Sequence, residues 1–477
     1  MKAIHESMRI GGQRVAGDRV IEVVNPYTGV CVGTVPKATP EDVRRALGIA
    51  AAYRPRLSRY ERHRILARAA EAVVARTEEI SDLITAESGL CKKDTRYEVG
   101  RVRDVLGFGA SAALVDDGQV FACDITAHGR ERRVYTQRDP LLGVIAAITP
   151  FNHPMNQVAH KVVPSIATNN RMVLKPSEKV PLSALLLADI LYEAGLPGEM
   201  FQVITGEPRE IADELLCNRA VGLVTFTGGV AIGKAIAEKV GYRRVVLELG
   251  GNDPLIVLAD ADLGQAAALA TAGAFKNSGQ RCTAVKRVLV ENSIADRYVG
   301  LVLERALELR YGDPMDDTVD MGTVIDEAAA RVIEERVDDA IGRGARLLCG
   351  NLRCGALYAP TVLDHVTPDM ILVREETFGP VLPVIRFETV DEAISIVNGS
   401  GFGLSSGVCT NRLDLITRLV DELQVGSVNV GEVPGYRLEL TPFGGIKDSG
   451  LGYKEGVLEA MKSFTNVKTY SLPWPLR

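Results

Sequence analysis

Aromatic residues make up only 5% of this 477-residue sequence, and tryptophan occurs once. With 46 glycines and many Ala, Val, Leu and Ile, that scarcity suits a large α/β enzyme whose turns need unusual backbone angles. An excess of one sign of charge is also missing. The formal net charge of -6 comes from acidic and basic residues mixed throughout, so no basic face for DNA or RNA is expected. The eight cysteines (Cys31, Cys91, Cys123, Cys217, Cys282, Cys349, Cys354, Cys409) lack paired zinc-type spacings, and histidines are few. Reduced thiols, no metal site and no disulfide between Cys349 and Cys354 follow as expectations. No segment is long and apolar enough to span a bilayer, and Met1 to Glu6 leads into no apolar core of signal-peptide length. A soluble, cytoplasmic protein without a membrane partner is expected. Tandem repeats and disordered linkers are absent too. Finally, no GxGxxG follows a strand, which counts against an ordinary dinucleotide-binding turn.

A chain of this length exceeds what one hydrophobic core usually supports, so two or more domains are expected. Residues 8–35 read as short strands broken by Gly11-Gly12 and by the turn Asn25-Pro26-Tyr27-Thr28-Gly29. A helix follows: Thr39 can cap it, Pro40 fits its first turn, and Val43, Ala46 and Leu47 share a face. Further amphipathic helices are predicted over 58–76, 77–88 and 96–108. Residues 119–138 look like a hairpin with polar edges, open to pairing with another subunit. From 142 onward, apolar runs at 142–148, 172–175, 201–204, 223–226 and 245–249 alternate with helical stretches. That alternation predicts a parallel, doubly wound sheet. After Pro254 it resumes with strands at 256–258 and 285–290 and helices at 263–275 and 294–309, a second α/β domain.

Three segments carry chemistry. In Phe275-Lys276-Asn277-Ser278-Gly279-Gln280-Arg281-Cys282-Thr283, one cysteine sits among small residues directly after a cation. A thiolate attacks carbonyl carbon far better than a thiol, so such a site must lower the thiol pKa or supply a base. Arg281 could do the former, or could hold an anionic substrate. Thr149-Pro150-Phe151-Asn152-His153-Pro154 offers an amide donor, and Leu247-Glu248-Leu249-Gly250-Gly251-Asn252-Asp253-Pro254 a carboxylate. Taken singly, Cys282 could be a small buried hydrophobe, Asn152 a turn cap and Glu248 a solvated strand end.

Together the three segments resemble the aldehyde dehydrogenase superfamily over nearly the whole chain. The resemblance implies Cys282 as nucleophile and Asn152 with the Cys282 N–H as donors to the oxyanion. Glu248 would be the base that activates water on the thioester, giving a free acid. It also implies a dinucleotide-binding domain in 1–118 and 141–248, a catalytic domain in 249–440, and an oligomerisation arm in 119–140 with a tail in 441–477. That arm would build a homodimer or homotetramer. For the cofactor, Phe226-Thr227-Gly228-Gly229-Val230-Ala231-Ile232-Gly233 places glycines at a strand-to-helix junction, where backbone N–H groups can face a pyrophosphate. Related proteins commonly have serine where Gly229 stands. Lys175 and Glu178 match positions that contact the adenosine ribose. A carboxylate at Glu178 favours NAD over NADP, although Lys175 could pair with a 2′-phosphate. Glu376 and Phe378, in Glu375-Glu376-Thr377-Phe378-Gly379-Pro380, match positions at the nicotinamide end; as bare sequence this could equally be a strand entry with an exposed acidic pair.

The substrate must be read from residues expected at the mouth: Arg101, His153, Arg281, Thr283 and Arg437. Convergent cations suit a small dianion, since guanidinium forks match phosphoryl oxygens, while each Arg could instead serve a surface ion pair. Within the superfamily the chain looks most like the phosphonoacetaldehyde-oxidising branch. Non-phosphorylating oxidation of glyceraldehyde 3-phosphate is the nearest alternative, then succinate semialdehyde or lactaldehyde. A catalytically silent structural or binding relative is the alternative of another class.

Overall fold

The computed structural model describes residues 3–475. Two seven-stranded sheets organise them. The first runs in the order Arg244–Glu248, Val221–Thr227, Val144–Ile148, Met172–Lys175, Phe201–Val203, Met8–Ile10, Gln13–Val15. Its strands are parallel from Arg244–Glu248 to Phe201–Val203, and the amino-terminal hairpin joins through an antiparallel contact. The second runs Arg346–Cys349, Thr361–Asp364, Val381–Phe387, Arg287–Glu291, Pro254–Val257, Ser405–Cys409, Ser427–Val430, with only the first of these antiparallel to its neighbour.

Helices on both faces explain why the central strands read as unbroken apolar runs. Successive side chains feed opposite cores. Ile145 and Ala147 enter one cluster with the helix Asn156–Ala167, while Val144 and Ala146 enter another with Pro40–Ala52. In the second sheet, Leu255 and Val257 pack to one side and Ile256 and Leu258 to the other.

Local signals act as expected at several helix starts. Thr39 and Asp42 form a capping box on Pro40–Ala52, and Ser58 and Glu61 form another on Arg59–Ala75. One helix departs from the sequence reading: Lys92–Ala112 begins before residue 96 because its polar first turn is buried by tertiary partners. Lys92 pairs with Asp82, and Asp94 accepts from the backbone N–H of Asn277 at 2.7 Å. The strand expected from 285 begins at Arg287, and Leu142 is exposed before Val144–Ile148.

The hairpin expected at 119–138 is present as Val120–Ala122 and Arg132–Pro140. Its other edge is taken by Thr465–Pro473 of the same chain, antiparallel. This small sheet stacks Tyr135 on Tyr470 and leaves Val467, Leu472 and Trp474 exposed. Among the described residues, no helix is long and apolar enough to cross a membrane, and no group of three or more His, Cys, Asp and Glu could hold a metal ion. All eight cysteines are free.

Candidate active site

In the first sheet the chain winds one way through Val144–Ile148, Met172–Lys175 and Phe201–Val203, then returns to place Val221–Thr227 and Arg244–Glu248 on the other side. Where the winding reverses, between Val144–Ile148 and Val221–Thr227, the connections leave in opposite directions and a crevice opens at the strand ends. A cavity of about 470 Å³ lies there, walled by Ile211, Leu215 and Ile232 among other apolar groups. Gly229 caps the helix Val230–Val240 without a side-chain hydrogen bond, and the space around its Cα is open, so the first-turn N–H groups can face an anion. Glycine allows close packing at two neighbours: a Cβ would come within 2.4 Å of the Phe226 ring at Gly228 and within 2.4 Å of the Leu249 side chain at Gly233, so those side chains would have to shift. The Thr227 hydroxyl is buried without a partner.

Lys175 and Glu178 line the same cavity, joined by a 2.8 Å ion pair. Burial would raise the Glu178 pKa, but Lys175 outweighs it and keeps the carboxyl ionised. Glu376 Oε1 accepts from the Gly251 N–H at 3.1 Å and from Lys286 at 2.7 Å. Phe378, with a left-handed φ of 53°, sets its ring edge-on to Phe151 at 5.8 Å. An anion-binding helix end, carboxylates for ribose hydroxyls and apolar walls for a flat ring fit a dinucleotide.

Cys282, Asn152 and Glu248 all line this cavity. The turn before Cys282 is unusual: Asn277, Ser278 and Gly279 all have positive φ, at 61°, 53° and 69°. Such strain persists only where surroundings impose it. Here the Asn277 side chain donates to the Asn152 carbonyl at 2.7 Å, and the Asn152 side chain donates to the Gln280 carbonyl at 2.8 Å. This exchange fastens the amide loop to the thiol turn and leaves one Asn152 N–H free for an oxyanion. Burial pushes the Cys282 thiol pKa up, opposed first by Lys286 and then by Arg437. The cation acting most on the thiol is therefore not Arg281, the sequence candidate.

Glu248 ends its strand with both carboxylate oxygens buried and unpartnered. Burial, then the nearby Glu455, raises its pKa well above the ordinary range, against Lys161, Arg437 and Lys454. Glu248 and Cys282 also wall a second cavity of about 50 Å³. One water takes about 10–15 Å³ by this kind of measure, so the space holds a few heavy atoms. Arg101, His153, Arg281, Thr283 and Arg437 all line it, so the sequence candidates do converge. His153 is the exception in charge. Burial first, helped by Arg101 and Arg281, pushes its pKa down to about 4, so it is a neutral hydrogen-bonding group at neutral pH and not one of the convergent cations.

Glu439 carries no local signal in the chain. Its carboxylate takes Arg101 Nε, hydrogen bonds His160 at 2.6 Å and lies 3.6 Å from Arg437, which also stacks on Phe443 at 3.9 Å. Burial pushes its pKa up, but His160, Arg437 and Arg101 together hold it well below the carboxylate range. The helix Lys92–Ala112 likewise turns charged side chains inward. Asp94, Glu98 and Arg101 lie on one face at helical spacing. Asp94 holds the thiol turn at Asn277, and Glu98 accepts the N–H groups of Met155 and Asn156 behind the Asn152 loop, each at 2.9 Å. Arg101 reaches the pocket. For Asp94 and Glu98 a buried partner is the only signal, and sequence does not display it, whereas Arg101 is already a sequence candidate.

Comparison with known proteins agrees with this geometry. The Aldehyde dehydrogenase family profile matches residues 14–470. The 3-sulfolactaldehyde dehydrogenase of Priestia megaterium is 39% identical over 446 residues, 93% of each chain. The sulfoacetaldehyde dehydrogenase of Neptuniibacter caesariensis is 36% identical, covering 94% of this chain and 98% of its own. The NADP-dependent glyceraldehyde-3-phosphate dehydrogenase of Bacillus halodurans, solved with NADP, superposes with a TM-score of 0.95 at 37% identity, over 99% of this chain and 100% of that one. With its two wound sheets, its dinucleotide-shaped crevice and a thiol shared between two cavities, this chain belongs to the aldehyde dehydrogenase family and is an NAD(P)-dependent oxidoreductase.

Proposed function

We propose that the aldehyde is small and anionic, with phosphonoacetaldehyde oxidised to phosphonoacetate. The observation that carries this reading is the small cavity, where Arg101, Arg281 and Arg437 line the wall beside the Cys282 thiol, with Glu439 pairing with Arg101 and Arg437 and Glu455 pairing with Lys161. With His153 neutral, Glu455 offset by Lys161 and burial favouring the protonated form of Glu248, the balance remains positive and suits a phosphonate, whose oxygens match guanidinium forks. Sulfonate aldehydes are the second reading, favoured by the sulfolactaldehyde- and sulfoacetaldehyde-oxidising relatives. Glyceraldehyde 3-phosphate offers the same kind of anion on a longer stem.

A nicotinamide dinucleotide bound in the crevice would supply the hydride acceptor. Thr227, Gly228, Gly229 and Gly233 would cradle its pyrophosphate, Lys175 and Glu178 the adenosine ribose, and Glu376 and Phe378 the nicotinamide end. Glu178 accepts from a 2′-hydroxyl and repels a 2′-phosphate, and Lys175 is already engaged by Glu178, so NAD is the preferred form and NADP the other.

Cys282 adds as thiolate to the aldehyde carbon, forming the C–S bond. The free Asn152 N–H and the Cys282 backbone N–H donate to the oxygen as it becomes negative. Once the carbon reaches the acid oxidation level, Cys282 carries a thioester. Glu248 then takes a proton from water, the hydroxide displaces sulfur, and acid and thiol are released. The exposed Val467, Leu472 and Trp474 on the arm sheet would meet a second copy of the chain in a homodimer or homotetramer.

The test is a comparison of kcat/KM over phosphonate, sulfonate, phosphate, carboxylate and neutral aldehydes with NAD and with NADP. Phosphonoacetaldehyde should lead. Neutral short-chain aldehydes outrunning every anion would overturn the reading, and absence of any NADH burst would identify a catalytically silent relative.

A further inference from the structure

Lys286 is buried in the centre of the molecule, yet nothing in the reaction just described uses it. Its ammonium has three protons and three acceptors: the Gly251 carbonyl at 2.6 Å, the Cys282 carbonyl at 2.6 Å and Glu376 Oε1 at 2.7 Å. Glu376 in turn accepts from the Gly251 N–H, and its own carbonyl takes Arg336 at 2.6 Å. The Gly251 backbone lies so close that a Cβ there would come within 2.6 Å of the Cys282 carbonyl. Three loops from distant parts of the chain, at 250–252, 281–283 and 375–378, thus meet at one nitrogen. Burying an ammonium is costly unless such acceptors surround it, and each acceptor is held in place by it.

We propose that Lys286 is a positioning residue that ties the Cys282 turn to Glu376, so that the reactivity of the thiol rests chiefly on an ion pair at the cofactor side of the site and less on the arginines at the substrate side. The proposal rests on the reading of Cys282 as nucleophile and Glu376 as a cofactor-side carboxylate. The charged groups around the sulfur are Lys286 and Arg437, which favour the thiolate, and Asp253 and Glu376, which oppose it; Glu248 shares the cavity wall. Asp253 is itself pushed up to about 8 by burial, so it is largely neutral below that pH and Glu376 is the main opposing charge.

The experiment follows iodoacetamide alkylation of Cys282 against pH in the cofactor-free enzyme, by peptide mass spectrometry so that the other cysteines do not interfere. Lys286→Gln keeps an amide donor but loses the charge; its inflection should move up, with alkylation at pH 7.5 slowed about tenfold, one pKa unit being a factor of ten. Glu376→Gln should move the inflection down and speed alkylation roughly threefold, on the same scale. Lys286→Arg should restore most of the wild-type profile. A structural role alone would not move the two variants in opposite directions. Unmoved inflections, or shifts of the same sign, overturn the proposal. If Lys286→Gln does not fold, the downward shift in Glu376→Gln carries the test, and its absence overturns the proposal equally. Should alkylated Cys282 leave aldehyde oxidation intact in the wild-type enzyme, the functional reading fails, and this inference with it.

Discussion

The two cavities that meet at Cys282 are made in different ways. The larger, about 470 Å³, owes its shape to backbone: a sheet reversal, glycines packed close to Phe226 and Leu249, and a bare helix end. The smaller, about 50 Å³, owes its character to side-chain charge, with Arg101 and Arg437 held by Glu439 and Arg281 beside them in the wall. Backbone shape suits a cofactor that many relatives share, whereas side-chain charge can change with substrate without disturbing the sheets.

The largest effect should come from the wall common to both. Cys282→Ala should lower oxidation by about 10⁴-fold or more while cofactor affinity, measured by calorimetric titration, stays within about threefold. Loss of cofactor binding as well would mean that the compartments are not separable. Glu248→Gln should leave the initial NADH burst and slow steady-state turnover by about 10²- to 10⁴-fold. Because burial and Glu455 raise the Glu248 pKa, its base form accumulates only as pH rises above the ordinary carboxylate range. Wild-type deacylation should therefore climb with pH in stopped-flow traces, and the Gln variant should lose that limb. An undiminished steady-state rate would remove Glu248 from the mechanism.

Arg281→Gln tests the charged compartment alone. KM for phosphonate or sulfonate aldehydes should rise about 10- to 100-fold, the worth of a charge-assisted hydrogen bond, with KM for propanal and for NAD little changed. Equal losses for propanal would blur the contrast between the cavities. The smallest effect belongs to Glu178→Gln, which removes a like charge from the 2′-phosphate position and frees Lys175. The ratio of kcat/KM with NADP to that with NAD should rise about fivefold, as for a partly exposed charge pair.

This contrast also explains what could be read from the chain. Strand runs such as 172–175 and glycine turns such as Gly228-Gly229 are local, and their periodicity and punctuation survive in one dimension. So did Cys282, Asn152 and Glu248, because each lies in a turn marked by Pro or Gly. Glu439, Lys286, Asp94 and Glu98 lie in segments where charge ordinarily means solvent. Their burial is decided by partners far away in sequence, as with Asp94 and Asn277 or Lys286 and Glu376. The neutrality of His153 was hidden for the same reason, since only its enclosure sets it.

The chain segment around Gly444 to Glu455 closes over Glu248: the Leu249 N–H donates to the Ser449 carbonyl, and Gly444 lets the backbone pass where a Cβ would lie 2.5 Å from the Glu248 carboxylate. Those residues are synthesised long after Cys282. Without them the acid would face water and the small compartment would lack the Phe443 and Glu455 parts of its wall.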